Sequence, residues 1–168
     1  SSKFNFKLKV FEVIKIDHNE ISSTYIRNLI RKGELAAAGE LLSRPVSILG
    51  TVIKGNFLGR KIGFPTANIN PHHEVIPPNG VYAVGVIFNT RRFQGVCYIG
   101  TRPTIKIQKA KTHIEVHIFN FKQNIYGKYL EIQFIKKIRE EKKFDSPATL
   151  GKEIKKDIWV ARHVFPLH

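Results

Sequence analysis

Apolar and polar residues alternate over residues 4 to 16, with Phe4, Phe6, Leu8 and Val10 set against Asn5, Lys7 and Lys9. That two-residue period predicts a strand with one buried face. The period then lengthens: Ile26, Leu29 and Ile30 fall on one face of a helix that Ser22 or Ser23 can cap and Gly33 can stop. A second helix is predicted from about Glu34 to Leu42. Beyond Pro45 the pattern changes, and residues 46–54, 81–88, 93–99, 113–120 and 128–138 read as strands separated by Gly, Pro and Asn clusters. Near the end, Ser146 and Pro147 form a cap and a first-turn proline. Leu150, Ile154, Ile158, Ala161 and Phe165 then recur at helical spacing. The prediction is an all-β body closed by an amphipathic helix packed on its strands. Strands without intervening helices do not readily make a parallel sheet, and a short body hides its edges best by closing into a barrel.

Composition narrows the class. With 168 residues and 42% apolar content the chain can bury one core with a short appendage, which excludes disorder. Lys and Arg number 28 against 13 acidic residues, and the resulting charge of +15 attracts anions of many kinds. The basic residues run from Lys3 to Arg162 without a block, so they read as a solvated surface, and neither nucleic acid nor membrane is the predicted partner. The lone Cys97 excludes an intrachain disulfide and fits a reducing compartment; among Gly95, Val96, Tyr98 and Ile99 it reads as a small buried hydrophobe. No apolar run approaches the roughly 18 residues of a membrane span, and no signal-peptide pattern opens the chain, so a cytoplasmic location is expected. The opening SSKFNF and the absence of methionine fit a piece of a longer protein.

The densest chemistry lies in residues 55–68, GNFLGRKIGFPTAN. Gly55, Gly59 and Gly63 allow positive φ and close backbone approach, so amides can face phosphate oxygens, while Arg60 and Lys61 add positive charge. The same glycines would also suit a barrel corner. Pro65 biases Phe64 towards an extended conformation, so Thr66 and Asn68 project to one side. A hydroxyl and an amide carbonyl are neutral, hard donors that suit a Mg²⁺ ion whose negative partners are substrate phosphates.

The pattern G-x-x-x-G-R-x-x-G-F-P-T-A-N resembles the signature of riboflavin kinases, which phosphorylate the ribityl 5′-hydroxyl of riboflavin. The resemblance continues in order at Asn79–Val84, Ile99–Thr104, Ile114–His117, Tyr126–Gly127 and Arg139–Phe144, covering roughly residues 44 to 163. Upstream, Ile21–Arg27 resembles the closing motif of the FMN adenylyltransferase domain that precedes the kinase in bacterial bifunctional FAD synthetases. The resemblance implies a mainly β fold: a six-stranded Greek-key barrel over residues 44–168 with a C-terminal helix. Residues 1–43 would be a short α/β remnant of the adenylyltransferase domain, the rest of which would lie upstream in the full-length protein.

It also implies roles for named residues. Glu115 faces opposite to Ile114, Val116 and Ile118 on its strand, which by itself describes a solvated carboxylate. The resemblance makes it the catalytic base. Gly55, Gly59, Arg60, Gly63, Phe64 and Pro65 would bind ATP phosphate, and Thr66 and Asn68 the Mg²⁺. Arg139 would contact the flavin by ring stacking or a phosphate by charge. Asn120 departs from the family's usual aspartate. Ser23, Thr24 and Arg27 sit at a helix start that favours phosphate, yet plain capping explains them equally, and Tyr25 stands where the family often has arginine. The H-x-G-H motif that completes an adenylyltransferase site is absent, so FAD is not an expected product. His113 and His117 lie too far apart on a strand to share one zinc. The rivals are a basic β-barrel that binds RNA and a non-catalytic flavin-binding regulatory domain.

Overall fold

The computed structural model describes Lys9 and residues 15–16, 19–56, 58–72, 74–102 and 111–165. In chain order these form β1 (Lys15–Ile16), β2 (Asn19–Glu20), α1 (Ser23–Lys32), α2 (Leu35–Leu42), β3 (Ser47–Ile53), a short helical turn α3 (Leu58–Lys61) and β4 (Ala67–Pro71). There follow β5 (Gly80–Phe88), β6 (Arg91–Arg102), β7 (Lys111–Ile118), β8 (Tyr129–Arg139) and α4 (Pro147–Val164).

Six strands close into a barrel in the order β3-β4-β7-β6-β5-β8, every ladder antiparallel. β5, β6 and β7 meander and β8 returns beside β5, which is a Greek key. Five of these strands are legible in the periodicity. The sixth, β4, is buried on both faces at Asn68 and Ile69, so it shows no alternation. Of the strand predicted over residues 4 to 16, Lys15 and Ile16 pair with β2, Lys9 is in no strand, and the remainder lies outside the described residues, as do Pro103 and Thr104 of the family motif.

The barrel has apolar clusters on both sides of its wall. Inside, Ile48, Tyr82, Val116, Leu130 and Ile132 are fully buried, and Tyr82 donates its hydroxyl to the Pro78 carbonyl at 2.6 Å, so the ring is buried without stranding its polar end. Outside, Val81, Ala83, Val96 and Phe119 meet Ala161 of α4. The Ser146 hydroxyl accepts from Thr149 N at 3.2 Å and Pro147 opens the helix, as its sequence predicts. At the other end, Ser22 caps α1 by accepting from Tyr25 N. Gly33 stops it at φ 85°, with Gly33 N donating to Ile30 O and Glu34 N to Leu29 O. Leu29, Ile30 and Ala38 join the cluster that fills the barrel.

Candidate active site

Strand register builds the site. Asn68 lies opposite Glu115 on β7, Glu115 opposite Tyr98 on β6, Tyr98 opposite Val81 on β5, and Val81 opposite Arg139 on β8. Residues directly across an antiparallel ladder share a face. One row of side chains therefore crosses the outer wall from Arg139 to Asn68, beneath α4 at one end and the glycine segment at the other.

Around Glu115 the contacts are polar. Thr66 Oγ1 donates to Glu115 Oε2 at 2.9 Å, and His113 Nε2 meets Oε1 at 2.5 Å. His117 lies on the same strand face, and its Nδ1 donates to the Pro65 carbonyl at 2.9 Å while Phe64 sets its ring edge-on to the imidazole. Two hydrogen bonds thus tie the glycine segment to β7. Ile114, Val116 and Ile118 point into the core, leaving Glu115 on the opposite side as the sequence predicts.

Residues 55–65 are less open than their glycines suggest. Residues 58–61 form the α3 turn, and Phe64 N donates to Gly59 O at 2.7 Å. Of the three glycines only Gly63 has a positive φ, 88°. Gly55 and Gly59 are required by proximity instead: a Cβ at Gly55 would overlap the Asn68 amide, and one at Gly59 the Phe64 carbonyl.

Three cavities meet at Thr66. The largest, about 280 Å³, lies between the glycine segment, the barrel wall and α4, with Phe64, Tyr98, Glu115 and His117 on one side and Arg139, Phe144, Leu150 and Asp157 on the other. Its volume and mixed lining suit a small aromatic ligand. A second, about 80 Å³, is bordered by Val52, Arg60, Val116, Phe121 and Tyr126. The third, about 20 Å³, is enclosed by Gly55, Arg60, Pro65, Thr66, Asn68 and Tyr126, room for one water or one ion. Its donors are the hydroxyl and amide oxygens that a magnesium ion with phosphate partners accepts, so these residues fit that ion.

Arg139 borders the large cavity, but its fork is engaged. Nε donates to Asp157 Oδ1 and Nη2 to Oδ2, both at 2.8 Å, Nη1 donates to the Glu140 carbonyl, and the guanidinium lies over Phe144. Asp157 is buried, a partner that sequence reading missed; its placement three residues after Ile154 and four before Ala161 puts it on the inward face of α4. Tyr98 is a second omission: its hydroxyl donates to Glu141 Oε1, while Asn79 Nδ2 donates to Oε2 at 2.9 Å. Asn120 takes a left-handed turn at φ 55°, which asparagine tolerates. Ser23, Thr24 and Arg27 are exposed on α1, and none borders the three cavities. Cys97 is buried, and burial pushes its thiol pKa far above the ordinary range, so it is no nucleophile.

Fold and site define a Greek-key barrel with a ligand cavity on its outer wall, roofed by a terminal helix. Residues 42–165 match the family model described as "Flavokinase: Riboflavin kinase". The chain is 45% identical over 98% of its length to the bifunctional riboflavin kinase/FMN adenylyltransferase of Haemophilus influenzae, and 42% identical over 82% to that of Bacillus subtilis. It belongs to the riboflavin kinase family. It spans 53% of the first relative's length and 44% of the second's. A solved structure described as a macrolide-efflux protein from Streptococcus pneumoniae superposes with a TM-score of 0.79 at 35% identity, over 89% of this chain and 49% of that one. Among the described residues, no helix is long and apolar enough to cross a membrane.

Proposed function

We propose that this chain transfers the γ-phosphate of ATP to the 5′-hydroxyl of riboflavin, giving FMN and ADP. The observation that carries the reading is the junction at Thr66, where two neutral oxygen donors and a carboxylate lie between a flavin-sized cavity and an ion-sized one that Arg60 borders. Phosphoryl transfer passes through a loose transition state, so the protein's work is alignment, proton acceptance and charge neutralisation. In this reading the isoalloxazine enters between the barrel wall and α4, with its ribityl chain directed at Glu115. Glu115 accepts the hydroxyl proton as the oxygen attacks phosphorus. The backbone at Gly55 and Gly59, close-packed against its neighbours, and the Arg60 guanidinium face the phosphates, with Gly63, Phe64 and Pro65 shaping the turn that presents them. Thr66 and Asn68 would hold Mg²⁺, which when bound neutralises charge on the β- and γ-phosphate oxygens. Arg139, tied to Asp157, shapes the flavin cavity and stacks beside its opening.

The match of the kinase family model from residue 42 supports assigning residues 44–168 to the kinase module. Residues 1–43 are then the closing part of an adenylyltransferase domain, with Ser23, Thr24 and Arg27 as its phosphate-facing remnant. The expected location is the cytoplasm. Incubation with riboflavin, ATP and Mg²⁺ followed by chromatography tests the whole assignment: FMN without FAD is expected. No FMN would overturn the kinase reading, and FAD would overturn the remnant reading.

A further inference from the structure

We infer that His113 is a positioning residue for the base, a role that rests on the kinase reading above. Its Nε2 lies 2.5 Å from Glu115 Oε1, while Thr66 Oγ1 holds Oε2 at 2.9 Å. An ionised carboxylate only accepts, so His113 contributes an N–H at Nε2. The carboxylate is therefore held at both oxygens, by a residue of its own strand β7 and by one just before β4, which fixes its plane. The two side chains meet because they sit two apart on one face of β7 and both are about one-fifth exposed.

Gly100 on β6 lies opposite His113, and a Cβ there would overlap the Tyr98 ring and crowd Glu141. Tyr98 and Glu141 thus occupy the space over Gly100, the position opposite His113. His113 does not line the flavin-sized cavity, whereas Glu115 does. Its effect belongs on the chemical step and not on substrate affinity: a carboxylate free to rotate spends less time aimed at the hydroxyl, and misplacement of a reacting group lowers turnover without weakening binding elsewhere.

The test compares the chain with His113→Leu and His113→Gln in steady-state FMN formation. Leucine removes the donor; glutamine restores an N–H at comparable reach. The expected result is a kcat roughly tenfold lower for His113→Leu, with KM for riboflavin and ATP within about twofold, and recovery of most of that loss in His113→Gln. Unchanged kcat in His113→Leu would overturn the role, as would a loss carried by KM or a glutamine variant as slow as the leucine one. Thermal unfolding of each variant separates a folding defect, in which both substitutions lower the melting temperature together. Absence of FMN from the unsubstituted chain is a distinct result, since it removes the kinase reading and this role with it.

Discussion

Residues 22–27 at the start of α1 and residues 55–68 before β4 both set hydroxyls and cations where phosphate could bind, yet they fold into different company. On α1, Ser22 spends its hydroxyl on Tyr25 N, and Ser23, Thr24 and Arg27 stand exposed. At the second segment, Thr66 meets Glu115 from 49 residues away in sequence, His117 holds the Pro65 carbonyl, and Asn68 is buried against Gly55. A local signature becomes a candidate site when another element brings the complementary group to it. Helix α1 offers amides and a dipole; β4 acquires a carboxylate, an enclosed cavity and a roof.

The comparison breaks most sharply at Glu115. Glu115→Gln keeps the shape and removes the base, and FMN formation should fall by roughly 10²- to 10⁴-fold in an assay by chromatography. Near-normal turnover would reduce the second segment to the status of the first. Gly55→Ala comes next: the added methyl displaces the Asn68 amide, and a Mg²⁺ titration of turnover should show apparent metal affinity lowered by roughly 10- to 100-fold, as when a ligand loses its support. An unchanged titration would separate Asn68 from the metal.

Asp157→Asn sharpens the contrast in another way, because it weakens the charge-assisted fork that fixes Arg139 beneath α4. With Asp157 and Arg139 both largely buried, the expected cost is about 2 kcal/mol in urea unfolding at constant m-value. A loss confined to riboflavin KM, with stability intact, would return Arg139 to direct flavin contact. The smallest effect belongs to α1: Thr24→Ala combined with Arg27→Ala should leave FMN formation within about twofold and stability within about 0.5 kcal/mol. A tenfold loss of turnover would make the two segments alike.

Much of this is legible in local pattern. Caps at Ser22 and Ser146, the stop at Gly33 and the outward face of Glu115 follow from periodicity and backbone chemistry that act over a few residues. β4 is hidden because Asn68 is a buried polar residue inside a five-residue strand. The α3 turn is hidden because glycines argue for an open loop, whereas two of them are there to let the Asn68 amide and Phe64 carbonyl approach. The engagement of Arg139 is hidden because a guanidinium's partner can come from any part of the chain, and here it comes from α4.

By itself the sequence determined five of the six barrel strands, helices α1, α2 and α4 and the family motif, since hydrogen bonding within a helix and alternation along a strand depend on near neighbours. Tertiary structure alone decided that β4 closes against β7 in the register that sets Asn68 opposite Glu115, and that α4 lies across the wall with Asp157 inward. Those choices depend on how distant surfaces fill space and pair their charges together, and no window along the chain contains both partners.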